Sequence, residues 1–241
     1  MKFQSELNSE KYPLFNCNKN KPTFKQNYIF IIIILIITNK ISPFKLKESF
    51  QLHSNEITIK IIESEYVSIV GRNYIYCPNT IELNNEITDI FDNGENCGYI
   101  YIDPSSEDEI SSIKLIWNND IDTFQGLFSN MTSMVEVDLS NFDTTSITNM
   151  HDMFYGCESL TSINFKNIIT TNLEDIGSMF TNCKSLNELD LSSFVTSKVT
   201  NMSFLFYGCQ SLKSINISHF DTSKVLSMQA MFYLMFSLEK L

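Results

Sequence analysis

The sequence predicts an α/β solenoid, in which a curved parallel sheet and short helical turns follow a small β-rich capping region. Three observations lead to this expectation: a 26-residue repeat in the second half, strand-like and helix-like apolar spacings within each repeat, and β-rich runs before it. The chain has 241 residues, of which 43% are hydrophobic and 19% charged. It is therefore long and apolar enough to bury a sizeable core.

The N-terminal 47 residues carry a positive charge and a hydrophobic run. Residues 1–27 form a polar, basic leader that we expect to be disordered, and residues 28–47 form a hydrophobic segment with a basic flank. Its apolar part, residues 28–37, covers about 15 Å as a helix, whereas a bilayer core needs about 30 Å. A signal peptide or signal anchor fits this length, and a buried strand is the alternative. We predict membrane attachment through residues 28–37.

The rest of the chain is acidic. The formal net charge is -11, and the basic groups beyond residue 47 include a single arginine, Arg72. No basic stripe interleaves with aromatic residues there, so nucleic acid is not an expected partner.

Residues 48–123 form a β-rich acidic region. Runs such as Ile57–Ile62 and Ile113–Trp117 are separated by Asn, Gly, Pro and acidic clusters. A repeat array needs a cap because its terminal unit exposes both core and strand edge. We therefore expect this region to cap the repeats.

Residues 124–241 contain the repeat, with four full units and a partial fifth. A phenylalanine recurs every 26 residues without insertion, at Phe128, Phe154, Phe180, Phe206 and Phe232. The run Leu186-x-x-Leu189-x-Leu191 has the alternation of a short strand, whereas Val199 and Met202 begin a helical spacing. One unit alone buries too little apolar surface to fold, so neighbouring units should stack.

A strand, turn and helix of this length with an L-x-x-L-x-L signature is typical of leucine-rich repeats. The run from Leu186 to Cys209 reads L-x-x-L-D-L-S-x-F-x-T-S-K-V-T-N-M-x-x-x-F-x-G-C. It resembles the 26-residue repeat of bacterial surface proteins, the BspA-like leucine-rich-repeat family. This resemblance implies surface display with adhesion or ligand binding, and it carries over no catalytic residues.

The outward positions of the predicted strands are the candidate ligand-binding residues. They would form a polar concave face that binds an extracellular protein or glycan, and a merely solvated sheet face is the alternative. Acidic pairs two units apart would lie about 10 Å from each other, too far to share a calcium ion. The candidate residues are Glu136, Asp138, Ser162, Asn164, Glu188, Asp190, Ser214 and Asn216.

Cysteine, asparagine and histidine positions complete the expectations. Cys77 and Cys97 are a candidate disulfide pair if the chain is exported. Within the repeat, Cys157, Cys183 and Cys209 share one column with Met131 and Met235. This substitution by methionine predicts that the thiols are buried in the core and bind no metal. Asn130, Asn201 and Asn216 fit the glycosylation acceptor pattern. The three histidines lack the spacing of a catalytic set, so we expect neither enzymatic activity nor a cofactor.

These observations predict a non-catalytic repeat protein at the cell surface or membrane, with its repeat region outside the cell and secretion as the second choice. Its concave face would bind an extracellular protein or carbohydrate. The alternative is an intracellular leucine-rich-repeat scaffold for protein–protein interaction.

Overall fold

A computed structural model gives the structure of the chain. It describes residues 55–62, 66–68, 70–71, 74, 76–84, 86–87, 97, 99–101 and 110–241. All of them belong to one compact unit, Leu52–Leu241. The predicted basic leader and hydrophobic segment, residues 1–47, lie outside the described residues. No helix in the described ranges is long and apolar enough to cross a membrane.

Eight strands form two sheets in the described part of the chain. The larger sheet has six strands in the order β4-β3-β6-β1-β7-β8, and β2 pairs with β5 in a separate sheet. Every pairing is antiparallel except that of β7 with β8. The strands are β1 Asn55–Ile62, β2 Tyr66–Ser68, β3 Thr80–Leu83, β4 Glu86–Ile87, β5 Tyr99–Tyr101, β6 Ile110–Trp117, β7 Met134–Asn141 and β8 Ser162–Asn164.

Strand β1 forms because its isoleucines alternate with more polar residues. Ile57, Ile59 and Ile61 are at most 1% exposed, and the residues between them point the other way. Ile57 lies opposite Leu115 of β6, and Ile59 lies opposite Ile113. The apolar face of this strand pair therefore forms the core beneath the sheet.

The β-rich region joins the repeats through β1. This strand pairs antiparallel with β7, the first strand of the repeat region, and Ile59 lies opposite Val137. On its other side β7 pairs parallel with β8, where Val137 lies opposite Ile163. One edge of β7 is thus covered by the region before the repeats, and the other by the following repeat unit.

Successive 26-residue units lie side by side in register. The rings of Phe154, Phe180 and Phe206 stack at centroid distances of 5.8 Å, with interplanar angles of 9° and 3°. Phe128 and Phe232 continue the stack at its two ends. The phenylalanine column expected from the sequence spacing is therefore confirmed.

Buried threonine hydroxyls also join neighbouring units. The Thr144 hydroxyl donates to the Ile169 carbonyl at 3.0 Å and accepts from the Ile169 N–H at 2.7 Å. Thr170 and Thr196 make the same pair of bonds to the next unit. Each of the three threonines is at most 3% exposed. Their hydroxyls form the hydrogen bonds between neighbouring units that backbone groups would form in a regular sheet.

The predicted leucine-rich-repeat solenoid, with its curved parallel sheet and short helical turns, is wrong. The described residues contain no helix, and their main sheet is mixed, mostly antiparallel and open. The expected strand at Leu186–Leu191 does not form, and the parallel part of the sheet comprises β7 and β8 alone among the described strands.

The predicted helical turns do not form, because alternate N–H groups in these segments bond to the next unit and to their own unit. Phe204 and Phe206 donate to carbonyls of the next unit at 2.8 and 3.0 Å, whereas Leu205 and Tyr207 donate to carbonyls three residues back. A helix would direct every N–H to the carbonyl four residues back. The alternation requires left-handed residues, and Phe204 and Gly208 have φ angles of 57° and 71°.

The left-handed residues recur with the same period. One column consists of Gly126, Asp152, Ser178, Phe204 and Ala230, and the second consists of Asn130, Gly156, Asn182, Gly208 and Leu234. Each unit therefore contains two tight turns at the place where apolar spacing predicts a helix.

Candidate functional site

Half of the predicted ligand-binding residues form one row across the repeat units. Glu136 lies opposite Ser162 in the β7–β8 pair, and Glu188 and Ser214 occupy the same repeat position in the next two units. Ser162, Glu188 and Ser214 are exposed. Glu136 is half-buried and forms an ion pair with Lys60 of β1 at 2.7 Å. We call Ser162, Glu188 and Ser214 the open row.

The other predicted residues shape turns. One side-chain oxygen of Asp138 accepts the N–H of the residue two positions later at 2.8 Å, and Asp190 does the same at 2.9 Å. Asn164 and Asn216 repeat this bond. Asp138 also accepts a hydrogen bond from the Asn164 amide at 3.0 Å. These four side chains thus help to reverse the chain after each strand position, as short polar residues commonly do.

A second polar row consists of Asn201, predicted only as a glycosylation acceptor, and of four residues that the sequence pattern did not single out. Parallel bridges join successive members, which lie 26 residues apart: Thr123, Asn149, Asp175, Asn201 and Ser227. Asp175 Oδ1 accepts from the Gly177 N–H at 2.8 Å and from the Asn201 amide at 3.0 Å. The sequence signal that could have identified this row is the recurrence of Asn, Asp, Ser or Thr every 26 residues. Its members use their side chains to hold turns and to bridge units.

His151 lies between two carboxylates beside this second row. Its Nδ1 is 3.2 Å from Asp175 Oδ1, and its Nε2 is 3.5 Å from Asp152 Oδ2. The hydrogen bond to Asp175 raises the pKa of His151, although partial burial opposes it. Burial alone would raise the pKa of Asp175, but hydrogen bonds from His151, Gly177 and Asn201 lower it. Burial also raises the pKa of Asp152. The cluster can therefore form a pH-dependent ion pair between units.

Cysteines occur in two chemical states. Cys77 and Cys97 are joined by a disulfide. Cys157, Cys183 and Cys209 are buried free thiols, each of which donates to a phenylalanine carbonyl 29 residues earlier at 3.0–3.2 Å. Burial raises the pKa of Cys157 and Cys209 to about 12. These three thiols are consequently poor nucleophiles near neutral pH.

The three glycosylation acceptors differ in environment. Asn130 and Asn216 are exposed. Asn201 is half-buried, and its amide donates to Asp175 while its oxygen accepts from the Ser203 N–H and hydroxyl. An attached glycan would compete with the amide bond to Asp175 at Asn201, whereas the Asn130 amide donates only to the neighbouring Ser129 hydroxyl at 3.1 Å and the Asn216 amide donates to no described residue.

No group of three or more His, Cys, Asp or Glu residues within the described ranges is placed to hold a metal ion.

A comparison with protein-family models finds one match, to residues 119–240. This range nearly coincides with residues 124–241, which contain the 26-residue repeat. No curated protein and no solved structure matches the chain. The family model covers half of the sequence together with its stacked units, and the chain belongs to the family described as Mycoplasma protein of unknown function, DUF285.

Proposed function

We propose that this chain is a non-catalytic cell-surface protein of the BspA-like repeat type, which binds an extracellular protein or carbohydrate. The observation that carries the proposal is the open row, Ser162, Glu188 and Ser214. These side chains are exposed and make no hydrogen bond or ion pair to any residue that the structure describes. They are therefore available to a ligand without breaking contacts that hold the fold.

The open row has the chemistry of a surface that recognises hydroxyl and amide groups. Serine hydroxyls donate and accept hydrogen bonds, whereas the Glu188 carboxylate only accepts. Lys240 follows Ser214 at the same repeat position, joined to it by a parallel bridge, and adds a positive charge at that end. Neighbouring strands lie about 4.8 Å apart, so an elongated sugar or peptide could contact several units at once.

The Cys77–Cys97 disulfide supports a location outside the cytosol. Disulfides persist in oxidising compartments and are rare where thiols are kept reduced. The free thiols of the repeat are buried, which would protect them from oxidation in such a compartment.

Binding is tested with the full chain on arrays of glycans and extracellular proteins, followed by two charge-reversal variants. Glu188→Lys should weaken binding to any ligand found by at least about tenfold, or about 1.4 kcal/mol. Glu174→Lys is the matched control, because Glu174 is also exposed but lies beside the second polar row. Equal effects of the two variants would show that the open row does not bind the ligand.

Location is tested separately by protease treatment of intact cells. Surface display predicts that the repeat region is released without lysis. Complete protection until the cells are lysed would instead favour an intracellular scaffold, and it would remove extracellular ligands from the proposal.

A further inference from the structure

The outer face of the β-rich region continues the open row. Lys60 of β1 lies opposite Ser112 of β6 on one side and opposite Glu136 of β7 on the other. Glu136 in turn lies opposite Ser162, the first residue of the open row. We call Ser112, Lys60 and Glu136 the cap row. The cap row and the open row together place six side chains across adjacent strands and repeat units.

The cap row points away from the core. Ile59 and Ile61, the neighbours of Lys60 in β1, are at most 1% exposed, whereas Lys60 is exposed. Ser112 is half-buried and precedes Ile113, which is fully buried. Because successive strand residues point to opposite faces, Lys60 and Ser112 lie on the outer face of the sheet. A ligand on the open row therefore meets the cap row on the same surface.

The spacing of the combined rows fits an extended glycan better than an extended peptide. Neighbouring strands lie about 4.8 Å apart, so the surface offers one side chain at each such step. Consecutive sugars of an unbranched glycan follow one another at nearly this interval, whereas same-face side chains of an extended peptide recur at about 6.6 Å. Extended peptides also pair their backbone with the edge of a sheet, and the two rows lie on its face.

The charges of the combined rows favour a neutral partner. Lys60 and Glu136 form an ion pair at 2.7 Å, and their side chains are nevertheless 46% and 44% exposed. Glu188 carries the remaining formal charge of the six side chains, and the other three are serines. Lysine donates, a carboxylate accepts and serine does both, so sugar hydroxyl groups find a partner at every step.

We propose that the ligand of the open row is an extended, uncharged glycan and that it continues over the cap row. The β-rich region then takes part in recognition in addition to covering the first repeat unit, with Lys60 and Ser112 as further contacts. This inference rests on the proposed function, because it names the class of ligand and lengthens the same site.

The test uses the full chain and oligomers of cellulose, mannan and chitin that contain three to eight sugars. Three sugars cover the open row, and about six also reach the cap row. For at least one of these glycans, the association constant measured by calorimetry should rise at least tenfold from three to six sugars and then stay constant. An association constant that levels off at three sugars would overturn the proposal, and so would the absence of binding by all of these oligomers.

Two lysine variants separate the cap row from a general effect of charge. Lys60→Ala should weaken binding of the six-sugar oligomer at least fivefold and leave binding of the three-sugar oligomer unchanged, which also shows that the variant is folded. Lys224→Ala is the matched control, because Lys224 is exposed but belongs to neither row. Equal effects of the two variants on the six-sugar oligomer would contradict the proposal.

Failure of this inference differs from failure of the proposed function. If an extracellular protein binds the full chain and Glu188→Lys weakens that binding, while no oligomer binds, the inference is wrong and the proposed function stands. If neither proteins nor glycans bind the full chain, both are wrong.

Discussion

Replacing Thr144 by valine should measurably destabilise the repeat region although the two side chains have nearly the same shape. The change removes one hydroxyl that donates to the Ile169 carbonyl at 3.0 Å and accepts from the Ile169 N–H at 2.7 Å. Thr144 is 1% exposed, so water cannot readily replace the lost partner. The cost is thus that of two hydrogen bonds between units, without a cavity.

The expected loss is about 2–3 kcal/mol. A net hydrogen bond contributes about 1 kcal/mol, and a buried N–H left without an acceptor adds about 1 kcal/mol or more. For a chain of this size, each kcal/mol lowers the melting temperature by about 2–4 °C. The melting temperature should therefore fall by roughly 4–12 °C.

Thr222→Val is the matched control. Thr222 occupies the same repeat position in a later unit, but it is exposed, and its hydroxyl makes no such pair of bonds within the described residues. Its substitution should change the free energy of unfolding by less than about 0.5 kcal/mol. Thr144→Ser, which keeps the hydroxyl, should recover most of the loss.

Urea unfolding followed by far-ultraviolet circular dichroism measures these differences, provided that the slope with denaturant stays constant. A Thr144→Val variant that unfolds within about 0.5 kcal/mol of the parent chain would refute the role assigned to the buried hydroxyls. So would a Thr222→Val variant that is equally destabilised.

Four further substitutions test other contacts. Phe180→Ala should cost about 3–5 kcal/mol in urea unfolding, and Phe232→Ala should cost less because Phe232 is only partly buried. Gly71→Ala should lower the melting temperature, because a Cβ there would overlap the backbone of the first repeat unit. His151→Gln should lower the free energy of unfolding most below about pH 6.5. The pKa of His151 is higher in the folded chain than in the unfolded chain. The charged imidazole therefore stabilises the fold fully below the unfolded-state pKa, and this stabilisation is lost as the pH rises through the folded-state pKa.

Each of these predictions has a result that contradicts it. Equal decreases in the free energy of unfolding for Phe180→Ala and Phe232→Ala would show that burial in the ring stack does not determine the destabilisation. An unchanged melting temperature in Gly71→Ala would mean that the backbone of the first repeat unit moves to accommodate the added methyl group at little cost in free energy. For His151→Gln, the difference in unfolding free energy from the parent should shrink as the pH rises above about 6.5, and a difference that grows would contradict the ion pair with Asp175.

Much of the repeat could be predicted from the residues alone. The constant interval of 26 specifies which side chains share a column, and the stacked rings of Phe154, Phe180 and Phe206 follow it. The alternating isoleucines of β1 likewise predict a strand with one buried face. These features depend on the order of apolar residues, which is written directly in the sequence.

The candidate site was only partly predictable. Outward strand positions identify the open row, but they do not distinguish Ser162, which is free, from Asp138, which holds a turn. They also do not reveal that Glu136 pairs with Lys60, which lies 76 positions earlier in the chain. Such contacts join units or regions that are distant in sequence.

The sequence by itself determined the period, the apolar columns and the polar rows. Tertiary structure decided whether the segment before Gly208 became a helix or a pair of turns, and whether β7 gained an antiparallel neighbour. The physical reason is competition for backbone hydrogen bonds. An N–H group such as that of Phe206 can pair within its own unit or with Met231 of the next unit, and only the adjacent unit, once in place, makes the second choice available.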